Sequence, residues 1–346
     1  MLERHAAGLI GYGSDVLGHD DALSRDHEWG ARCHLWLQES DYEEYAAPLN
    51  EALYEELPFS FKGYPVRFSL DDNQEVLIPY NGTVNLHHVA ITTVHRHMRI
   101  QLGVHAFPPS TLDWLVIPEQ KLMEWTRGRI FTDPVGDISQ VRQTLAYLPD
   151  EIWRFKLKEA WGGFGLLSVA KLADQRGESL SARMAINRIV EKAVHLIFLY
   201  HRRYRPGTYK WISRELSGIS PAADQLSKLL EEALWERHVP RAVELIEDVL
   251  HQIIHEHNRL GLTEPITLLP PPAYARGMQS YSYRNLETAL LDSLPEELKQ
   301  MELSGAVDQF VTSEDILIWA DHYTKFKSLY TMKSDIERTG IGDMIV

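Results

Sequence analysis

Gly11-Tyr12-Gly13-Ser14-Asp15-Val16-Leu17-Gly18, followed closely by Ser24-Arg25-Asp26-His27-Glu28-Trp29-Gly30, is the stretch on which the reading of this chain turns. A glycine-rich turn with a hydroxyl leads to two carboxylates, Asp26 and Glu28, which a strand's period of two would put on the same face. Two hard oxygen ligands aimed at one point suit Mg²⁺, which takes a few carboxylates and completes its coordination with water and substrate phosphates. The turn complements the pair. Glycines let backbone N–H groups converge on an anion, and a helix starting near Ser14 adds its positive end. These residues predict a nucleoside triphosphate site, with Gly13 and Ser14 holding the phosphates and Asp26 and Glu28 the metal. The Walker pattern and the dinucleotide G-x-G-x-x-G are both absent, and Asp15, Asp20 and Asp21 read as loop and cap residues.

Composition narrows the class. The formal charge of −14 disfavours passive binding to long nucleic acid, because counterion release needs clustered Lys and Arg. The lone cysteine, Cys33, excludes an internal disulfide framework and suits a reducing cytoplasm; it reads as a small buried residue. No apolar run approaches the roughly 20 residues needed to cross a bilayer, and the first residues lack a secretory h-region. A cytoplasmic protein with no membrane partner is expected.

Along the chain, residues 6 to 11 predict a strand, and Glu28 to Leu37 its partner, with Leu35 and Leu37 on one face and His34 and Trp36 on the other. Ser40 or Asp41 caps a predicted helix to about Leu57, stopped by Pro58; strands follow at Val66–Leu70 and His87–Val94. After Asp133-Pro134-Val135-Gly136-Asp137 amphipathic helical spacing takes over, which sets a domain boundary there. The helix from about Ser181 to Tyr204 carries the clearest core stripe: Ile186, Ile189, Val190, Ala193, Ile197 and Tyr200, with Arg183, Asn187, Glu191 and His195 on another side. It ends in His201-Arg202-Arg203-Tyr204-Arg205-Pro206-Gly207-Thr208-Tyr209-Lys210-Trp211, a local excess of positive charge with aromatics interleaved. Cations are ordinary at a helix C-terminus. In the functional reading, Lys210 and one of Arg202 or Arg203 reach the triphosphate, with Tyr204 or Trp211 against a base. His95 with His97, and His251 with His255, have usable ligand spacings, but lack a cysteine partner or an H-E-x-x-H arrangement, so solvated or hydrogen-bonded imidazoles are expected.

The order Gly-Ser, spacer, Asp-x-Glu resembles the nucleotidyltransferase superfamily that includes DNA polymerase beta and the aminoglycoside nucleotidyltransferases. More closely, Ala6 to Ser14 and Ser24 to Gly30 resemble an uncharacterised, mostly bacterial family of nucleotidyltransferase-like proteins known only as a domain of unknown function. Asp113-Trp114-Leu115, Tyr204 to Trp211, His257 to Thr263 and Gly305 to Phe310 resemble the same family. The resemblance implies an α+β chain: a small mixed-sheet nucleotidyltransferase domain over residues 1–137, followed by an all-α helical bundle over 138–346. It also implies a helix ahead of the turn; with Met1 so close to Gly11, either this is a short form or that helix is dispensable.

The superfamily pattern further implies a third acid on a neighbouring strand, where this chain has Ala90. Asp133 is the best substitute and the nominee for general base; Asp113 comes second. The function implied is Mg²⁺-dependent transfer of a nucleoside monophosphate from a nucleoside triphosphate to a hydroxyl of a small molecule or other acceptor; the acidic surface suits a cationic small molecule better than a long nucleic acid, and a protein hydroxyl or a tRNA end stays open. Ala90 motivates the alternative, a catalytically impaired nucleotide-binding or interaction module. A hydrolase built on the histidines is a third possibility.

Overall fold

The computed structural model describes residues 4–25, 30–73, 77–268, 281 and 283–330. Asp26 and Glu28, and the triple proline at 270–272, lie outside them. The described residues fall into two compact units, the first drawn from 1–110, 120–146 and 318–320, the second from 111–119, 147–317 and 321–346. The fold is α+β, with small mixed sheets and a helical C-terminal region.

The first unit opens with β1 (Ala6–Leu9), a single turn α1 (Ser14–Leu17), β2 (Cys33–Leu37) and α2 (Glu39–Glu56). α2 has no buried residue, so packing does little to hold it. Its end is fixed instead by Arg67, whose guanidinium donates to the carbonyls of Tyr54, Glu55 and Leu57, and so supplies both charge and donors to orphan C-terminal groups. Gln38, a few positions ahead of the expected Ser40 or Asp41, is its N-cap.

The hairpin β3 (Ser60–Phe61) and β4 (Tyr64–Pro65) follows, then β5 (Arg67–Leu70), β6 (Leu77–Pro79), β7 (Leu86–His87) and β8 (Val89–Thr93). α3 (Val94–Leu102) is capped by Thr93, whose hydroxyl accepts from Arg96 N. His95 and His97 therefore sit on a helix rather than on a continued strand. α4 (Thr111–Val116) counts with the second unit. α5 (Glu119–Thr126), from its second residue on, β9 (Arg129–Thr132) and α6 (Asp137–Thr144) return to the first.

The main sheet has the order β8-β2-β1-β9, with β1 antiparallel to β2 and β9, and β2 parallel to β8. A parallel pair needs a crossover, which α2 and the separate sheet β6-β5-β7 supply. The His34/Trp36 face of β2 is covered as well as the other: His34, Trp36 and His97 stack, with His34 and His97 centroids 4.6 Å apart, and Trp125 leans on His97 at 4.8 Å. The boundary expected at residue 137 falls inside this unit. Arg142 of α6 donates to the carbonyls of Thr126, Arg127 and Gly128, tying the first helix after that point to the end of α5.

The second unit contains α7 (Asp150–Trp161), α8 (Leu166–Gln175), α9 (Ser179–Tyr200), α10 (Ile212–Ile219), α11 (Pro221–Trp235), α12 (Val239–Leu260) and α13 (Arg284–Asp292). α9 packs against α7, α8, α11 and α12. Ile186, Ile189, Val190, Ala193, Ile197 and Tyr200 are all buried, as their spacing predicts, each large apolar side chain contributing about 1.5–3 kcal/mol. α11 starts with Pro221 behind the Ser220 cap, whose hydroxyl accepts from Ala223 N. Among the described residues, no helix is long and apolar enough to cross a membrane.

A polar relay crosses this core. Trp161 Nε1 donates to Tyr200 Oη at 2.9 Å, so the tyrosine hydroxyl donates to His257 Nδ1, 2.9 Å away, and His257 Nε2 then donates to Thr263 Oγ1 at 2.8 Å. This accounts for the His257 to Thr263 segment as a structural device, supported by Asn258, whose side chain bonds both the N–H and the C=O of Ile266.

Candidate functional site

Antiparallel pairing of Ala6 with Trp36 and Gly8 with His34 places the end of β1 beside the start of β2, and so brings the glycine turn next to residues 30–32. Gly11 and Gly13 both have positive φ, 97° and 118°. Across the turn lies Arg32. Its Nη2 donates to Tyr12 O at 2.6 Å and to Asp15 Oδ1 at 2.5 Å, its Nε to Asp15 Oδ2 at 3.3 Å, and its guanidinium lies 4.8 Å from the Tyr12 ring centroid. A methyl group at Gly13 would collide with Arg32 Nη2 and Asp15 Oδ1. Gly13 thus serves two ends: it adopts a backbone conformation closed to most residues, and it lets a cation rest on the turn. The arginine side chain is 9% exposed and the aspartate 40%.

His34 forms the floor. Its Cε1 lies 4.0 Å from where a Gly11 side chain would begin, and its Nδ1 is buried with no hydrogen-bond partner among the described residues. Burial, then Arg32 and His88, push its pKa down to about 4, so the ring is neutral at physiological pH. Ala90 pairs with His34 in the parallel register and is exposed on β8. Neither Arg32 nor His34 was singled out from the sequence. The signal for Arg32 was its place as the first cation between Glu28 and β2.

The remaining predicted residues have defined positions. Asp133 accepts from Gly136 N at 3.1 Å through Oδ1 and from Ser139 N at 2.8 Å through Oδ2. Both oxygens close the turn into α6, which corrects the expectation of a general base there. Asp113 is tied to Lys327 at 2.5 Å. Gly13, Ser14 and Asp133 belong to the first unit, Arg202 and Lys210 to the second. Arg202 lies 3.8 Å over the Trp153 ring and pairs with Asp150 at 2.6 Å, both partners being in its own unit. Lys210, on a short 3-10 turn, is exposed.

The histidines hold no metal cluster: among the described residues, no three His, Cys, Asp or Glu side chains come together. His97 Nδ1 accepts from Trp36 Nε1 at 3.0 Å, His95 Nε2 meets His105 O, His251 packs edge-on to Tyr281, and His255 is exposed. Cys33 is half-buried, and burial raises its thiol pKa.

A buried cluster of charged side chains lies within the second unit. Glu119 Oε1 receives Lys156 Nζ at 2.6 Å and His195 Nε2 at 2.9 Å; Oε2 receives Arg205 N at 2.7 Å. Asp308 Oδ1 binds the same Lys156 at 2.8 Å, and its Oδ2 takes Glu119 N at 2.9 Å. Burial alone would push the Glu119 carboxyl up, but Lys156, His195 and Arg205 hold it well below the usual carboxylate range. Burial lowers the Lys156 pKa, and Asp308 and Glu119 more than reverse that. With every carboxylate oxygen satisfied and the charges paired, this is a closed structural clamp. His195, placed on a polar side of its helix by spacing, is 6% exposed because it completes the clamp.

A family model for a domain of unknown function, DUF4037, matches residues 114–212. The matched stretch contains Glu119, Lys156, His195 and Arg205 and stops short of the glycine turn. No curated protein matches the chain. Among solved structures the chain is similar to a nucleotidyltransferase-like protein from Exiguobacterium sibiricum, with 10% identity and a TM-score of 0.35, over 84% of this chain and 82% of that one.

Proposed function

We propose that this protein is a Mg²⁺-dependent nucleotidyltransferase that moves a nucleoside monophosphate from a nucleoside triphosphate to a hydroxyl of a cationic small molecule. The observation that carries the reading is the bond from Arg32 to Tyr12 O: the segment that follows Asp26-His27-Glu28 is fastened to the glycine turn. Carboxylates and phosphate oxygens form the hard donor set that Mg²⁺ prefers, so Asp26 and Glu28 are the residues that would hold it. Bound there, the ion would screen phosphate charge. Gly13 and Ser14 contribute backbone N–H groups and a hydroxyl to the outer phosphates. The acceptor hydroxyl oxygen bonds to the α-phosphorus and releases its proton to water, the bond to the bridging oxygen breaks, and pyrophosphate departs with that electron pair. Asp133 takes no part as base, since both its oxygens hold backbone N–H groups.

The test is incubation with each labelled nucleoside triphosphate, Mg²⁺ and a panel of amino sugars and other hydroxyl acceptors, reading pyrophosphate release. Asp26→Asn should abolish turnover with the circular dichroism spectrum unchanged, and Lys210→Ala should lower it. Undiminished transfer by the Asp26 variant sinks the assignment. A second reading, a nucleotide-binding module without transfer, is favoured by Ala90 on β8 and by the engaged oxygens of Asp133; nucleotide binding with no pyrophosphate release across the panel would select it.

A further inference from the structure

We infer that Arg32 is the cationic arm of the phosphate site, and that Asp15 is a built-in stand-in for the phosphate, holding the guanidinium until a polyphosphate displaces it. The inference rests on the nucleotide reading above and adds the group that reads the polyphosphate. The geometry of the pair carries it. Arg32 meets one carboxylate through Nε and Nη2, the two-point contact by which guanidinium recognises carboxylate and phosphate alike. Its Nη2 is anchored to Tyr12 O and its charge faces the Tyr12 ring, so the arginine keeps its place on the turn when the carboxylate leaves. Its Nη1 donates to no described residue, which leaves a donor for an incoming oxygen.

The partners differ in freedom. The arginine side chain is 9% exposed and backed by Gly13, whereas that of the aspartate is 40% exposed, on a helix of 4 residues. Besides Arg32, the Asp15 carboxylate holds the adjacent Val16 N–H, at 2.9 Å through Oδ1, so Asp15 is the member that can swing out at the cost of that one local bond. A polyphosphate, which brings several negative charges and several oxygens to the fork at once, outbids a single carboxylate, and Asp15 sets a threshold that a lone monophosphate does not pass. The ligand class is a polyphosphate, either as part of a nucleotide or free.

Calorimetric titration of the full chain with Mg-ATP, inorganic tripolyphosphate and AMP tests this. For wild type, ATP and tripolyphosphate should bind and AMP should bind far more weakly. Arg32→Ala should weaken both polyphosphates about tenfold or more, and Arg32→Lys by less, since lysine keeps the charge and loses the fork. Asp15→Asn is the decisive variant: removing the competitor should tighten both about threefold. Weaker binding by Asp15→Asn, with circular dichroism and Tm matching wild type, overturns the inference, because the pair would then be only a brace for the turn. Unchanged binding by Arg32→Lys and Arg32→Ala overturns it too, while leaving the nucleotide reading in place. If wild type binds none of the three probes, the nucleotide reading itself fails and this inference with it.

Discussion

Glu119 Oε1 and Lys156 Nζ meet at 2.6 Å with side chains 2% and 1% exposed, and the same ammonium reaches Asp308 at 2.8 Å. One lysine is thus the shared ion-pair partner of two buried carboxylates from distant parts of the chain. Lys156→Met would leave both without their cation, and breaking such a group from one side costs about 3–5 kcal/mol. Urea unfolding should show that loss. Adding Glu119→Gln and Asp308→Asn to the same chain should recover part of it, because no uncompensated charge remains.

The stacked histidines of the first unit predict a pH dependence. Burial, then neighbouring charge, holds His34 at about 4 and His97 at about 3, against about 6.5 in the unfolded chain. A folded pKa below the unfolded value means that the unfolded chain takes up protons first as the pH falls. The stability these rings contribute is fully present above about pH 6.5 and is lost as the pH drops towards their folded values. Urea midpoints should move to lower denaturant between pH 7.5 and 5, by the equivalent of about 2 kcal/mol for each ring. His97→Gln should flatten that slope, and an unaltered slope would remove His97 from the account.

Two glycines with positive φ separate strain from contact. Gly136, at φ 87°, has nothing within 4 Å of a would-be side chain, whereas Gly13, at φ 118°, faces Arg32 and Asp15. Gly136→Ala should cost about 1 kcal/mol of backbone strain. Gly13→Ala should cost about 1–3 kcal/mol more, because the guanidinium must move as well. Thermal unfolding of the two variants reads the difference directly.

Tyr200→Phe removes the middle of the relay from Trp161 to Thr263. Trp161 Nε1 and His257 Nδ1 would each lose a partner in a dry core, at about 1–3 kcal/mol. Tyr283→Phe, whose hydroxyl is buried with no hydrogen-bond partner among the described residues, is the matched comparison, and equal losses from both substitutions would count against the relay.

The sequence by itself determined the elements whose pattern is local. The stripe of α9 repeats with the period of a helix, Pro221 behind Ser220 starts α11, and the glycines before Ser14 mark a turn between strand and helix. Each rests on side chains a few positions apart, where backbone geometry alone decides which of them share a face. The tertiary structure decided what the polar side chains do. Asp133 looks like a candidate base until Gly136 N and Ser139 N are seen on its oxygens, and the partners of Arg202 are Trp153 and, 52 residues away, Asp150. His195 meets a glutamate 76 residues away, and Lys156 an aspartate 152 residues away. Such partners cannot be read from spacing, because a buried charge is held by whatever the fold brings within about 3 Å, and that is set by how whole elements pack. Arg32 is the plainest case. Its distance along the chain from Gly13 said nothing, and the antiparallel register of β1 and β2 put the guanidinium on the turn.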